Sequence, residues 1–275
     1  MIAGYLLGLR EGLEAALILG VTFGVLNRLR RRELAPAAWR GVAAATVISA
    51  LGALVLLSVG ARLEGPTEEI FEGLTMLLAA GILTWMILWM GVNGRKVQLG
   101  LERDVEEAAL RRQTSAIFVV TFIAVLREGV ETALFLSAAA FQDAQAAVVV
   151  GGLAGIATAA VLGWGLYRAT IRLSLRRFFQ VTGWLLILFA AGLFSHAVHE
   201  FVEAGLLPAL LDPVWDTGAI LSESSFVGTI LRTLFGYNAD PNLLEVLAYF
   251  GYFIGVWIAL RILRDRTPTP AMAAS

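Results

Sequence analysis

The chain has 275 residues, of which 58% are hydrophobic and 16% charged, and its formal net charge is −1. Soluble globular domains usually carry about 25% charged residues, and here the apolar residues form runs of about 20, long enough to cross a bilayer core. The sequence has no cysteine, which excludes disulfides, iron–sulfur clusters and thiolate metal sites. We therefore expect an all-α integral membrane protein that contacts membrane lipid and no nucleic acid.

Seven apolar blocks follow one another along the chain, and each is predicted to be a transmembrane helix within a single transmembrane domain, 1–275. They cover residues 3–26, 41–61, 70–92, 116–140, 146–167, 179–204 and 244–262. A cytoplasmic loop is expected at 93–115 and an extracytoplasmic loop at 205–243. Within the latter, Phe226–Phe235 has the apolar spacing of a helix. It is predicted to be a short interfacial helix outside the core, the alternative being a structured cap without a functional role.

The basic residues of the connecting segments favour one orientation. Three segments on the same side of the predicted bundle are rich in arginine, whereas the loops on the opposite side are mostly acidic or neutral. Because basic residues accumulate on the cytoplasmic side, we expect the N-terminus outside and the C-terminus inside. The arginines are Arg28, Arg30, Arg31, Arg32 and Arg40, then Arg168, Arg172, Arg176 and Arg177, and finally Arg261, Arg264 and Arg266.

An internal repeat is the most informative pattern in the sequence. Leu9–Leu19 and Leu126–Leu136 are identical at eight of eleven positions, at an offset of 117 residues. A weaker match pairs Ala79–Ile82 with Ala190–Leu193 at an offset of 111. Repeat 1 (1–92) and repeat 2 (116–204) would each contain three spans, so the second copy enters the membrane from the opposite side. The fold class predicted is therefore seven transmembrane helices, arranged as two inverted three-helix repeats plus one extra helix.

The repeated segment carries two carboxylates and one guanidinium near the middle of each span. Residues three and four apart share a helix face, and each charge at the bilayer centre costs about 2.5–3.5 kcal/mol when inserted. These groups are therefore expected to face one another or a wet cavity. Pairing both arginines leaves a formal charge of −2, and oxygen-only ligands suit a hard cation. The candidate metal ligands are Glu11, Glu14, Glu128 and Glu131, with Arg10 and Arg127 as supporting ion pairs.

The alternative is a salt-bridge lock between the two halves that never contacts a substrate. A lock needs equal numbers of acids and bases, whereas the acids here exceed the bases two to one. Gly12 and Gly129, one residue into each motif, are expected to allow close approach of the two motif helices.

A second candidate site, for outer ion entry or proton exchange, lies on the sixth span. Its residues have the i, i+3, i+4, i+7 spacing of one helix face, and imidazole with carboxylate suits metal capture or proton exchange. Solvated residues hydrogen-bonded to the outer loop are the alternative. In the repeat alignment, Trp85, Leu88 and Trp89 take the places of the first three. The four residues are His196, His199, Glu200 and Glu203.

Glu72 and Glu245 are further candidates, since each stands near the start of a predicted span. A carboxylate there more often complements the helix dipole than binds a metal, and that interpretation is preferred.

Two Arg-Glu-Gly-x-Glu motifs, in the first and fourth of seven predicted spans, resemble the oxidase-dependent iron permease family, which includes fungal high-affinity ferric permeases and bacterial relatives. The resemblance covers most of the chain, including Asp216–Ser225 and Leu234–Tyr237. It implies iron uptake across the plasma (inner) membrane, with the four motif glutamates as iron ligands. It also implies extracytoplasmic partners that oxidise or deliver iron.

Other functions stay open at this point. The ligand set alone does not distinguish Fe³⁺ or Fe²⁺ from another hard divalent metal such as Mn²⁺. An intramembrane metal-dependent enzyme is a further alternative, but a zinc protease requires His-Glu-x-x-His, and the order here is His-x-x-His-Glu. A haem needs histidines on opposite sides of its ring, whereas His196 and His199 share one face. A scaffold would not require symmetric carboxylates. We therefore expect a permease and not an enzyme, with iron as the transported substrate and no permanently bound cofactor.

Overall fold

The computed structural model describes residues 1–142, 144–167, 175–223 and 225–265, with side chains except those of 90–95, 97–98, 166–167, 175–177, 226, 233 and 263–265. The described residues form helices and no strands, as an all-α membrane protein requires. Of the arginines that orient the chain, those at positions 168, 172 and 266 lie outside the described residues. The side chains of Arg176, Arg177 and Arg264 do so too.

Seven long helices and one short one make up the described part of the chain. Proline at the first position of α3 suits a helix start, and α7 runs from a Ser225 N-cap to Gly236 in the left-handed conformation. A 3₁₀ turn at Arg32–Leu34 precedes α2. The helices are α1 (Ile2–Arg28), α2 (Ala35–Gly60), α3 (Pro66–Leu110), α4 (Thr114–Gln142), α5 (Gln145–Tyr167), α6 (Leu175–Glu203), α7 (Phe226–Phe235) and α8 (Leu243–Asp265).

Five of these helices are long and apolar enough to cross a membrane, so the chain is a membrane protein. They are the segments Arg32–Gly60, Pro66–Trp89, Gln145–Gly165, Phe178–Glu203 and Leu243–Ile262. The other two long helices, α1 and α4, are 27 and 29 residues in length. Both contain the charged motif, which lowers their hydropathy but not their length.

Helix α3 is longer than the sequence predicted. Its 45 residues span about 68 Å at 1.5 Å per residue, roughly twice a bilayer core. Most of the segment 93–115, expected as a loop, is therefore a helical continuation that ends at Leu110. The continuation is stable because Val105, Ala108 and Ala109 pack against the end of α1 and the start of α4.

The helices pack in pairs whose directions follow from their contacts. Helix α1 runs parallel to α5, and α2 runs parallel to α4. Helices α3 and α6 are antiparallel, with Gly73 beside Ala197 and Gly183 beside Ile87. The parallel pairs are fixed by Gly4–Val148, Gly8–Gly152 and Gly12–Ala159, and by Gly41–Thr121, Ser49–Gly129 and Gly60–Phe141.

Helices α1 and α4 therefore run in opposite directions, because only two residues separate the end of α4 from the start of α5 and α1 is parallel to α5. We call the end of the bundle with Pro66, Gln145 and Glu203 the α7 end. The opposite end, with Arg28 and Arg111, is the arginine-rich end. When α1, α2 and α3 are matched in order with α4, α5 and α6, α1 corresponds to α4 and α2 corresponds to α5. The contact between α1 and α5 then corresponds to the contact between α4 and α2.

Helix α7 has the predicted bounds but is not confined to the surface. Leu234 packs against the main core cluster of α1, α3, α4 and α6. A β-carbon at Gly192 of α6 would lie only 2.8 Å from Gly236 Cα. Gly192 is eleven residues before the end of α6, or about 16 Å along the helix. The expectation of a helix outside the core is corrected: α7 dips between α6 and α1.

Candidate metal centre

The motif on α1 is buried, and its charges pair with one another. Glu11 is 1% exposed and Arg10 is 3% exposed. Arg10 Nη1 donates to Glu11 Oε1 at 2.6 Å and to Met86 Sδ at 3.6 Å. Arg10 Nη2 lies 3.0 Å from Glu14 Oε1, an ion pair that is not aligned as a hydrogen bond. One guanidinium thus neutralises one of the two carboxylates of this helix.

The motif on α4 buries its carboxylates but not its arginine. Glu128 and Glu131 are both buried. Arg127 Nε donates to Glu131 Oε1 at 2.9 Å and lies 3.9 Å from Glu128 Oε1. Its side chain is 34% exposed, against 4% for Arg10. In both copies the arginine lies near both glutamates of its own helix, but Arg10 hydrogen-bonds the adjacent Glu11, whereas Arg127 hydrogen-bonds Glu131, one turn away.

Three of the four motif glutamates converge. Glu11 from α1 and Glu128 and Glu131 from α4 each offer a carboxylate oxygen, and these oxygens all lie within 4.8 Å of one another. At metal–oxygen distances of about 2.1 Å, neighbouring ligand oxygens of an octahedral cation are about 3.0 Å apart and opposite ones about 4.2 Å. The three carboxylates are therefore near enough for one cation to contact all of them once their side chains move closer together. Glu14 lies outside this trio and pairs with Arg10.

The trio also contains oxygens that the described protein does not satisfy. Glu11 Oε2, Glu128 Oε2 and Glu131 Oε2 are buried and accept no hydrogen bond from the described residues. A buried polar atom without a partner costs about 1–3 kcal/mol, and more when it is charged. A hard cation would supply the missing interaction to all three, because it prefers oxygen ligands and carries the opposite charge. The residues present therefore fit a hard cation.

The two motif glycines do not bring α1 and α4 together as expected. A β-carbon at Gly12 would lie 2.7 Å from Ala159 Cβ on α5, and one at Gly129 would lie 2.7 Å from Ser49 Cβ on α2. Each glycine therefore admits the parallel partner of its own helix. The carboxylates of α1 and α4 meet although neither glycine faces the other motif helix.

The second candidate site is built around His199. Its Nδ1 lies 2.8 Å from Glu245 Oε1 and its Nε2 lies 3.2 Å from Glu203 Oε1. Carboxylates thus occupy both positions at which imidazole binds a metal, and one would have to leave for His199 to act as a ligand. His196 is buried, with its ring centre 6.5 Å from that of His199. Glu200, four residues after His196 on the same helix, is half-buried.

Glu245 forms a capping box at the start of α8, the structural role that the sequence favoured. Its Oε1 accepts from Asn242 N at 3.1 Å, and its own N donates to Asn242 Oδ1 at 3.0 Å. Its Oε2 accepts from Asn238 at 2.8 Å. Glu72 on α3 faces Glu200 on α6, close enough for the two charges to interact.

Sequence reasoning did not identify two residues that contact the motif. Met86 accepts from Arg10, and the Trp89 ring centre lies 5.9 Å from the Arg127 guanidinium. Met86 gave no signal, because a methionine in an apolar span is ordinary packing. Trp89 did give a signal in the sequence, because the repeat alignment pairs it with the polar Glu200.

Comparison with known proteins shows the family to which the chain belongs. Residues 1–263 match the Iron permease FTR1 family. The chain is 38% identical over 265 residues to "Ferrous iron permease EfeU" of Shigella sonnei (95% of this chain, 96% of the relative). It is equally similar to that of Escherichia coli O157:H7. The protein of that name from Yersinia pestis is 35% identical over 278 residues (100% and 98%). No solved structure matches. The chain therefore belongs to the Iron permease FTR1 family, whose members are transporters and not enzymes.

Proposed function

We propose that this protein is an iron uptake permease of the plasma membrane, and that the iron passes through the site formed by Glu11, Glu128 and Glu131. The observation that carries the proposal is the convergence of these carboxylates from two copies of one motif, within 4.8 Å of one another. Buried carboxylates inside a membrane are costly and typically mark ion pathways.

The proposed architecture has seven transmembrane helices in two inverted repeats, α1–α3 and α4–α6, followed by α8. The opposite directions of α1 and α4 and the matching α1–α5 and α4–α2 contacts support it. Helices α1 and α4 would cross the membrane although they carry charges, because the bundle buries their glutamates. Binding sites of inverted-repeat transporters lie near the midplane, where the two repeats meet.

The α7 end is proposed to face outwards. The arginines at the other end, including Arg28, Arg31 and Arg111, would then be cytoplasmic, as the positive-inside rule requires. His196, His199, Glu200 and Glu203 would lie on the entry side, where their carboxylates attract cations. Proteins that oxidise or deliver iron would meet the permease at this face.

Fe²⁺ is the ion we propose for the site. The charge of the four glutamates and two arginines is −2, which a divalent cation neutralises completely. The relatives named ferrous iron permeases support the same choice. An oxygen-only site also suits Mn²⁺, so Mn²⁺ is the competitor that matters most.

Radioactive ⁵⁵Fe²⁺ uptake into proteoliposomes tests the proposal. Glu11→Gln, Glu128→Gln and Glu131→Gln should each abolish saturable uptake, because each removes one ligand charge and keeps the side-chain volume. Glu64→Gln, on an exposed connection, is the matched control and should transport normally. Excess Mn²⁺ should compete more weakly than unlabelled Fe²⁺. Unchanged uptake in the three variants would refute the site, and transport of Mn²⁺ without Fe²⁺ would refute the substrate.

A further inference from the structure

The two arginines of the repeated motif are equivalent in sequence but not in environment. The Arg10 side chain is 4% exposed and lies between Glu11, Glu14 and Met86. The Arg127 side chain is 34% exposed and pairs with Glu131. Arg10 is therefore enclosed by protein, whereas Arg127 is partly exposed at the surface of the bundle.

The two arginines also lie on opposite sides of the carboxylates. Arg10 precedes Glu14 on α1, which starts at the α7 end, and Arg127 precedes Glu131 on α4, which starts at the arginine-rich end. Along its own helix, Arg10 thus precedes its carboxylates on the side of the α7 end, and Arg127 precedes its carboxylates on the side of the arginine-rich end. In the orientation of the proposed function, Arg127 lies on the cytoplasmic side.

One aromatic side chain holds Arg127 in that place. The Trp89 ring centre is 5.9 Å from the guanidinium carbon, within the range of a cation–π interaction. Trp85 stacks on Trp89 with ring centres 5.5 Å apart and planes inclined by 17°. In the repeat alignment, α6 carries His196 and Glu200 at these two positions. Helix α3 thus presents indoles where α6 presents polar groups. The contact between an arginine of the motif and a tryptophan therefore belongs to α3 and α4, and the aligned positions of α6 carry no aromatic indole.

We propose that Trp89 is a positioning residue that holds Arg127 across the cytoplasmic exit of the carboxylate site, so that release of the cation requires Arg127 to leave Trp89. A cation bound to the trio competes with Arg127 for Glu131, the carboxylate that Arg127 now pairs with at 2.9 Å. Occupancy of the site therefore loosens the arginine, and Trp89 sets how readily it moves. This inference rests on the proposed function for the direction of transport.

A thiol reporter tests the inference directly, because the chain has no cysteine of its own. Thr132 lies four residues after Glu128, on the same helix face, is partly buried, and is on the far side of Arg127 from the arginine-rich end. We would introduce Thr132→Cys and measure its labelling by a membrane-impermeant thiol reagent in inside-out membrane vesicles, in which only the cytoplasmic face meets the reagent. Trp89→Leu removes the aromatic ring, Trp89→Phe keeps one, and Trp184→Leu, at an exposed tryptophan of α6, is the matched control.

We expect Trp89→Leu to raise the labelling rate by about 2–30-fold, the range given by a cation–π interaction of about 0.5–2 kcal/mol. Trp89→Phe should raise it less than Trp89→Leu, and Trp184→Leu should match the parent. Equal rates for Trp89→Leu and Trp89→Phe would overturn the inference, as would an equal effect of Trp184→Leu. Iron uptake by the Thr132→Cys parent is measured separately. Its absence would count against the proposed function, while the labelling rates still report on the arginine.

Discussion

The contact between α1 and α5 offers a sharp test of how the site is held together. Gly8 of α1 packs directly on the backbone of Gly152 of α5. A β-carbon at position 8 would lie 2.9 Å from Gly152 C and 3.0 Å from Gly152 Cα. Carbon atoms prefer separations of about 3.5–4.0 Å, so Gly8→Ala must push the helices apart by about 0.5–1 Å. No flexible side chain is available to absorb the change.

The expected loss of stability follows from comparison with Gly20 on the same helix. Gly20 is exposed and has nothing within 4 Å of its β-carbon position. Replacing either glycine by alanine gains the same helix propensity, about 1 kcal/mol, so that contribution cancels between the two variants. Overpacking costs about 1–3 kcal/mol. Gly8→Ala should therefore be about 1–3 kcal/mol less stable than Gly20→Ala.

The same displacement reaches the metal site, because Glu11 is less than one turn from Gly8. The carboxylate oxygens of the trio, which lie within 4.8 Å of one another, must move to separations of about 3.0–4.2 Å to ligate one cation, and a shift of α1 opposes that movement. A misplacement of about 1 Å can cost about 100-fold in function. Thermal unfolding in detergent and the half-saturating Fe²⁺ concentration for uptake measure the two effects. Equal stability and equal uptake in Gly8→Ala and Gly20→Ala would refute the reasoning.

Three further predictions concern other parts of the fold. Gly192→Val should displace α7 and expose the 205–243 segment to protease. Gly183→Val should not, because the nearest atom to a β-carbon at that position is 3.9 Å away. Equal cleavage of the two variants would contradict the packing described. Arg10→Gln should lower the unfolding temperature more than Arg127→Gln. Breaking a fully buried ion pair costs about 3–5 kcal/mol, whereas Arg127 is partly exposed. A larger drop in unfolding temperature for Arg127→Gln would contradict this. Ser225→Ala should destabilise α7 by about 0.5–2 kcal/mol, since Ser225 Oγ accepts from a backbone N–H at 2.9 Å, and hydrogen exchange in α7 measures the change.

The sequence was sufficient to predict the helices and the two motifs, because apolar runs and helical spacing are local properties. Glu11, Glu128 and Glu131 were predicted as ligands from their duplicated pattern, and the structure brings these three together. Their role in binding iron stays a prediction. The pairing of Arg10 with Glu14 was foreseeable from the i, i+4 spacing.

The remaining features depend on which helix faces which, and periodicity within one helix does not contain that information. Gly12 and Gly129 stand at the expected positions on their helices but face α5 and α2. Helix α3 continues to Leu110 because residues distant in sequence cover Val105 and Ala109. Likewise, α7 dips into the bundle because Gly192 and Gly236 let two backbones meet. These contacts connect segments far apart in the chain.

The central claim is that iron binds between the two motifs, and an anomalous difference map recorded at the iron absorption edge tests it most directly. Crystals grown with Fe²⁺ should show one principal peak within about 2.6 Å of carboxylate oxygens from Glu11, Glu128 and Glu131. The same peak should vanish in Glu128→Gln. A principal peak at His196 and His199 instead, with none at the three carboxylates, would contradict the account.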